Sequence, residues 1–383
     1  MSGDEGGALP DRAGSVGEWR QRTRVARGWL AGRFADGRAR SVDVDGPPVV
    51  LRLSAHNPAD ATVVRDVFVP SFEVLRRMSN GNLRVQATWG GEVHALPGGW
   101  EALAADRTDL APCYASLEAE KRGFRLVTLL DLPNLFPNAA VGTAVSERLY
   151  DRYLRADFER HGVLLARMKA TGPTPIFLRE PARTIAELRG RPIVTPDGIP
   201  ARALERVGAA PVVGPGAPLR KLLADGAVDG AVISEAAAEV YGLTRVAPFE
   251  LLVDLGRTNL PYGLNPSTYA RLAPDLRPVL NAWLRAQAQA EAQVFYGAGG
   301  AAARERYLAA GGQIVSLEPS AAAIWNDQLS GIEEEAVAGM EREGLPARAF
   351  LRDVRELIRA YSARSDNDIM QEAIDRPIDD ILV

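Results

Sequence analysis

The chain has 383 residues, long enough for two lobes with their own cores. Hydrophobic residues make up 46% and charged residues 25%, the balance of an ordinary globular protein. A net charge of −4 gives no basic surface for nucleic acid or an anionic membrane, the lone cysteine excludes an internal disulfide framework, and no stretch of about 18 apolar residues is present to cross a bilayer.

In chain order, residues 1–45 read as an N-terminal extension without the apolar run of a signal peptide. The expectation as the sequence stands is a cytoplasmic protein, or a periplasmic or extracytoplasmic one if its true start or leader differs. Trp19 to Phe34 has the pattern of a basic amphipathic helix docked on the body, or of an unordered tail. Val49 to Ala55 predicts the first core strand, ended by His56-Asn57-Pro58. A helix is expected over 61–78 and a strand over 83–88, leading to Trp89-Gly90-Gly91. Further on, a helix at 100–105, a strand at 109–111, a crossing segment at 126–136, a helix at 145–161 and a strand at 163–166 complete the first lobe.

Thr184 to Gly230 is compact α/β grammar. Thr184 with Glu187 makes a capping box, Gly190 ends that helix, and Pro192-Ile193-Val194 reads as a buried strand. A helix at 201–207, a strand at 211–213, a helix opened by Pro218 and a strand at 228–233 follow. Gly214-Pro215-Gly216 between them is a turn, since proline removes an amide that a phosphate would need. Strand–helix alternation predicts a parallel sheet whose C-terminal edge can hold a ligand. Later, Val246 to Val253 reads as a strand returning to the first lobe and Leu260 to Asn265 as one lining the cleft. A long helix over 276–295, a strand at 313–315, helices at 321–343 and 347–360, and a 361–383 tail ending in DDILV close the chain.

The run AELRGRPIV, ERVGAAPVV, LLADGAVDGAV resembles the second lobe of the solute-binding proteins of TRAP (tripartite ATP-independent periplasmic) transporters. Leu188, Gly190, Gly208, Ala209, Pro211, Gly226, Val228, Asp229 and Gly230 carry the likeness. Agreement in order extends from about Val49 to Arg359, through Arg107-Thr108-Asp109-Leu110, LLDLPNLF at 129–136 and Trp325. The resemblance implies an α/β, two-lobed periplasmic-binding-protein-like (Venus flytrap) fold, with a mixed, mostly parallel sheet in each lobe and a long helix spanning both. It divides the chain into a first lobe (46–168 with 256–285) and a second (169–255 with 286–360). It implies a small organic ligand, TRAP membrane subunits as partners if the chain is exported, and no cofactor. One departure stands out. The family's ligand-carboxylate arginine falls on Val194 here, and a second arginine of some members falls near Thr174, or Arg179 if the register slips.

Strand order and the resemblance together place His56, Asn57, Trp89, Glu92, Tyr114, Phe136, Phe177, Val194, Ser234, Glu235, Asn259 and Asn265 around the cleft. His56 is a ligand partner, a general base, or a histidine tying its loop. Glu92 and His94 lack the further ligands a metal would need, so no metal is expected. Trp89, Tyr114, Phe136 and Phe177 make an aromatic box or plain core, and Cys113 is a buried small residue unless a base lies beside it. Losing an arginine–carboxylate contact forfeits about 1.5–3 kcal/mol. Dicarboxylates and sugar acids are therefore disfavoured unless Arg179 or Arg257 supplies the charge. The leading expectation is a binding protein closing on a neutral or largely apolar, aromatic ligand. The alternative is a cytosolic enzyme on the same fold, performing cofactor-independent elimination, isomerisation or cyclisation with His56 as base or acid, Glu235 or Glu92 as partner and Tyr114 as hydrogen-bond donor.

Overall fold

The computed structural model describes residues 15–33, 47–214, 218–378 and 382. The 1–45 extension is therefore described only over 15–33, and most of the expected Gly214-Pro215-Gly216 turn and of the terminal DDILV lies outside the described residues.

Eleven described strands form two sheets, one per lobe. The first holds β1 (Val49–Ser54), β2 (Leu83–Thr88), β3 (Leu110–Pro112), β4 (Leu164–Ala170) and β10 (Asn259–Leu264) in the order β2-β1-β3-β10-β4. The second holds β5 (Ile176–Leu178), β6 (Pro192–Thr195), β7 (Ala210–Val213), β8 (Gly230–Val232), β9 (Phe249–Leu251) and β11 (Gln313–Val315) in the order β11-β9-β5-β8-β6-β7. β1 runs parallel to β2 and β3, and β6 parallel to β7 and β8. The strands next to the crossings, β10 and β5, run antiparallel to their neighbours. Each parallel trio therefore sends its C-terminal ends toward the space between the lobes, which is where such sheets hold ligands.

The chain passes between the lobes after β4, after β9 and along the long helix after β10. Lys169 and Ala170 still pair with Leu260 and Asn259, so the first crossing comes after Ala170. The strand expected to return to the first lobe does not do so: β9 pairs with β5 and β11 in the second sheet, and the return is made by β10. The crossing into β10 is tight. Gly256 has φ +107°, and a Cβ there would lie 2.3 Å from the carbonyl oxygen of Asp131. Asn259, at the start of β10, fixes the same point. Its backbone N–H donates to Asp131 Oδ1 at 3.0 Å, and its own Oδ1 accepts from Ser146 at 2.6 Å. Gly256→Ala is expected to lose at least about 1–3 kcal/mol in denaturant unfolding, from left-handed backbone strain and the clash together. Unchanged stability would contradict this reading of the crossing.

Two helices differ from their predicted bounds for physical reasons. The 145–161 helix begins earlier, because Asn138 caps Ala139–Arg148 by accepting the Val141 N–H at 2.8 Å. The long helix does not stop at 295. Leu276–Ala290 passes into a π-helical stretch, Glu291–Gly299, and on into Gly300–Ala309. Its glycines look like a stop signal, but Gly297 leaves room for a neighbour: a Cβ there would sit 2.6 Å from the Trp19 ring. Trp19 belongs to Val16–Arg22, which with Arg24–Leu30 forms a docked helical pair. That pair meets the C-terminal helix Asp366–Asp375 through Arg22–Asp366 at 2.8 Å and through Asn367, which accepts from Val25 N–H at 2.9 Å. Both termini thus brace the helix that joins the lobes.

Candidate functional site

The parallel strand ends of the two sheets enclose a cavity of about 130 Å³. The first lobe contributes His56 and Asn57 after β1, Tyr114 and Leu117 after β3, Lys169 on β4 and Leu260 on β10. The second contributes Val194 and Thr195 at the end of β6, Ile233 and Ser234 after β8, and Ala237, Val240 and Tyr241 from the following helix. Glu291, Phe295 and Tyr296 come from the π-helical stretch, whose wider turn aims all three at the cavity. Most of this wall is aliphatic or aromatic. The polar groups are few: hydroxyls, one amide, His56, Lys169 and Glu291.

The twelve residues expected around the cleft divide into two sets. His56, Asn57, Tyr114, Val194 and Ser234 line the cavity. The other seven do not. Trp89 stacks on Phe72 and edges Phe68 at 5.5 Å inside the first lobe, and Glu92 is exposed. Phe136 is buried beside the crossing, where its carbonyl accepts from Arg257 Nε at 2.9 Å. Phe177 packs edge-on against Tyr307 within the core of the second lobe. Glu235 turns toward Arg304, 3.9 Å away, although Ser234 beside it faces the cavity. Asn259 holds the Asp131 crossing, and Asn265 caps Pro266–Arg271 by accepting the Ser267 N–H at 2.8 Å.

Val194 and Thr174, where the resemblance leads one to look for arginine, both reach the cavity and bring no charge to it. Neither substitute considered from the sequence lines it. Arg179 is half-exposed and 3.5 Å from Asp229, and Arg257 is spent on the Phe136 and Pro137 carbonyls. The cation that does reach the wall is Lys169, 2% exposed. It contacts Glu291, 1% exposed, whose other oxygen is 2.7 Å from Arg167. Arg167 in turn lies 4.2 Å over the Tyr262 ring. Sequence reasoning missed this set, although the signal was there. Arg167 and Lys169 sit two apart in the otherwise apolar LLARMKA strand, so both emerge on one buried face.

Burial, aided by the charges of Lys169 and His94, pulls His56 down to about 3, so its ring is neutral at pH 7. Its Nδ1 is buried without a partner, as is the Thr195 hydroxyl, and both residues line the cavity. Burial also pushes the Cys113 thiol well above its usual range, which leaves it unreactive. Because folded His56 resists protonation, the unfolded chain binds the extra proton first, and stability is lost as pH falls from about 6.5 toward about 3. Relative to His56→Gln, the wild type is expected to lose up to about 1.4 kcal/mol per pH unit across that window, measured by urea unfolding. Parallel pH profiles for the two proteins would refute it.

Two α/β lobes joined by three crossings and closing on a small, mainly apolar cavity define a ligand-binding protein of the flytrap class. The family profile of the bacterial extracellular solute-binding proteins, family 7, matches residues 54–338, and the chain belongs to that family. Among curated proteins, none matches the chain closely. Solved structures similar to it include a TRAP solute-binding protein from Rhodoferax ferrireducens in complex with copurified benzoate. That protein is 19% identical with a TM-score of 0.75, covering 82% of this chain and 99% of its own. Another is a TRAP periplasmic solute-binding protein from Bordetella bronchiseptica with bound (R)- and (S)-mandelate, at 21% identity and TM-score 0.71, with coverages of 82% and 99%. A third, from Xanthobacter autotrophicus with bound β-D-galacturonate, is 15% identical with a TM-score of 0.64, covering 81% and 99%.

Proposed function

We propose that this solute-binding protein closes its lobes on a single-ring aromatic molecule and presents it, outside the cytoplasmic membrane, to TRAP membrane subunits. The observation that carries the ligand class is the cavity itself. An apolar cavity of about 150 Å³ accepts benzene. A volume of about 130 Å³ walled by Tyr114, Val194, Tyr241, Leu260, Phe295 and Tyr296 therefore suits one ring and leaves a hexose without enough hydrogen-bond partners. The benzoate and mandelate bound by two similar structures agree with that size and shape. The family description supports the extracytoplasmic placement. No observation favours turnover: among the described hydrogen bonds and ion pairs, no carboxylate contacts His56, and Glu235 faces Arg304 instead.

A thermal-shift comparison tests this reading. Ligand at 100 times its Kd adds about 2.7 kcal/mol to the folded state, a readily measured rise in Tm. Benzoate or a ring-substituted relative is expected to raise Tm, and galacturonate and succinate to leave it unchanged. A larger rise with galacturonate or succinate would overturn the aromatic reading.

A further inference from the structure

Phe295 and Tyr296 wall the cavity, meet edge-on with ring centroids 4.8 Å apart, and sit inside the π-helical stretch Glu291–Gly299. Phe295 also borders a second hollow of about 380 Å³, walled in part by Arg27, Arg65, Ala236 and Arg306. A residue with open space on two sides takes its place largely from its own backbone, and a π-helical backbone is a local departure that its surroundings must hold. What holds this one comes from the two ends of the chain. Two residues before Phe295, the buried Gln293 amide donates to the Asp366 carbonyl oxygen at 2.8 Å. Two residues after it, Gly297 makes room for the Trp19 ring, which is 3% exposed. Arg22 ties these contacts together: its guanidinium lies 3.9 Å from the centre of the Trp19 ring and 2.8 Å from the Asp366 carboxylate. Val16–Arg22 and Asp366–Asp375 both lie outside the 54–338 span that matches the family. We propose that the two termini form a clip on the π-helical stretch, and that Trp19 is a positioning residue that sets Phe295 and Tyr296 against the ligand ring. The inference rests on the aromatic reading above and adds a control on fit that acts from outside the cavity wall.

The place of the clip explains how it would act. The long helix changes lobes at this stretch: Leu276–Ala290 packs on β4 of the first lobe, and Gly300–Ala309 on Glu235–Val240 of the second. Arg24–Leu30 rests on Val69–Met78 in the first lobe, while Val16–Arg22 touches both the π-helical stretch and Gly300–Ala309. The N-terminal pair thus straddles the junction. A π turn that relaxes to an α turn shifts the register of the residues after it by one position, about 100° around the axis. Even a fraction of that rotation swings both rings off the cavity wall. Trp19 opposes it by filling the space beside Gly297, and Gln293 opposes it through Asp366.

Benzoate and 2-naphthoate carry the same acid group and differ by one fused ring, so the ratio of their affinities reads fit and is independent of how much protein is folded. Calorimetric titration of the full chain with both, beside amide exchange over 291–299, makes the test. The wild type is expected to prefer benzoate. In Trp19→Ala that preference should fall about 10-fold, and exchange over 291–299 should quicken about 10-fold, with Trp19→Phe close to the wild type. Gly297→Ala, whose Cβ would meet the Trp19 ring at 2.6 Å, should reproduce the loss by itself and add little to Trp19→Ala, where the colliding ring is gone. Arg22→Ala keeps the buried ring and cuts only the tie to Asp366. It should lose about 3-fold in preference, and it decides the matter should Trp19→Ala not fold. A benzoate-to-naphthoate ratio unchanged in the folded variant, or additive effects of Trp19→Ala and Gly297→Ala, overturns the inference and leaves the aromatic reading standing. Failure of both acids to bind the wild type overturns the aromatic reading, and unchanged exchange over 291–299 in the variant then overturns the clip as well.

Discussion

Glu291→Ala is expected to destabilise the free protein by about 3–5 kcal/mol, the usual consequence of removing one partner from a buried ion pair. Glu291 sits in the π-helical stretch that carries two cavity aromatics, and it is the acid that both Arg167 and Lys169 touch. Lys169 can respond by losing its proton. Arg167 cannot, and it is 1% exposed, with no water to take over. The stranded guanidinium is what costs the stability. Arg167→Met in the same chain should therefore recover most of the loss, making the double variant far more stable than the sum of the single effects implies. Denaturant unfolding of the four proteins measures this coupling. A Glu291→Ala protein as stable as the wild type would show that the buried charges are not a coupled set.

Ala237→Trp is expected to abolish ligand binding, by at least about 100-fold, while leaving the fold intact. Ala237 lies on the helix Glu235–Val240 with its side chain on the cavity wall and only half-buried, so an indole has open space to enter. Once there it occupies the position of the ligand's ring between Tyr241 and Tyr296. The change touches neither sheet nor any member of the charge set. Calorimetry with benzoate is the readout, with Tm as the control for folding. Binding within a few-fold of the wild type would place the ligand somewhere other than between the lobes.

The fold was legible because its signals are local. The Thr184–Glu187 capping box forms as read, with Glu187 N–H donating to Thr184 Oγ1 at 3.4 Å, and the strand–helix alternation up to Gly230 builds the three parallel strands β6, β7 and β8 of the second sheet. What failed to show was destination. β9 has the composition of any short buried strand, and nothing in its residues says which sheet it joins; that is decided by pairing with β5 and β11, distant in sequence. The expected end of the long helix at 295 also fell short, since helical backbone continues through Gly297–Gly300, where Gly297 clears space for the Trp19 ring that only the packing reveals.

The candidate site was half legible for the same reason. Residues at the end of β6 and shortly after β1, β3 and β8 reach the cavity because strand ends do so in this architecture, which accounts for His56, Asn57, Tyr114, Val194 and Ser234. Aromatic type alone was a poor guide: Trp89, Phe136 and Phe177 satisfy cores. The buried Lys169–Glu291 pair joins the end of a strand to a helix 122 positions away, and only the fold unites them. The absence of arginine at Val194 and Thr174 was visible in the sequence.

The central claim is that one aromatic ring is held between the lobes. A crystal structure of the protein grown with a bromobenzoate tests it most directly, because anomalous scattering from bromine locates the ring without ambiguity. The account predicts a bromine position inside the cavity walled by Val194, Tyr241 and Tyr296. Bromine at the charged groove of Arg202, Glu334 and Arg342 instead, or an empty interlobe cavity at saturating ligand, would contradict it.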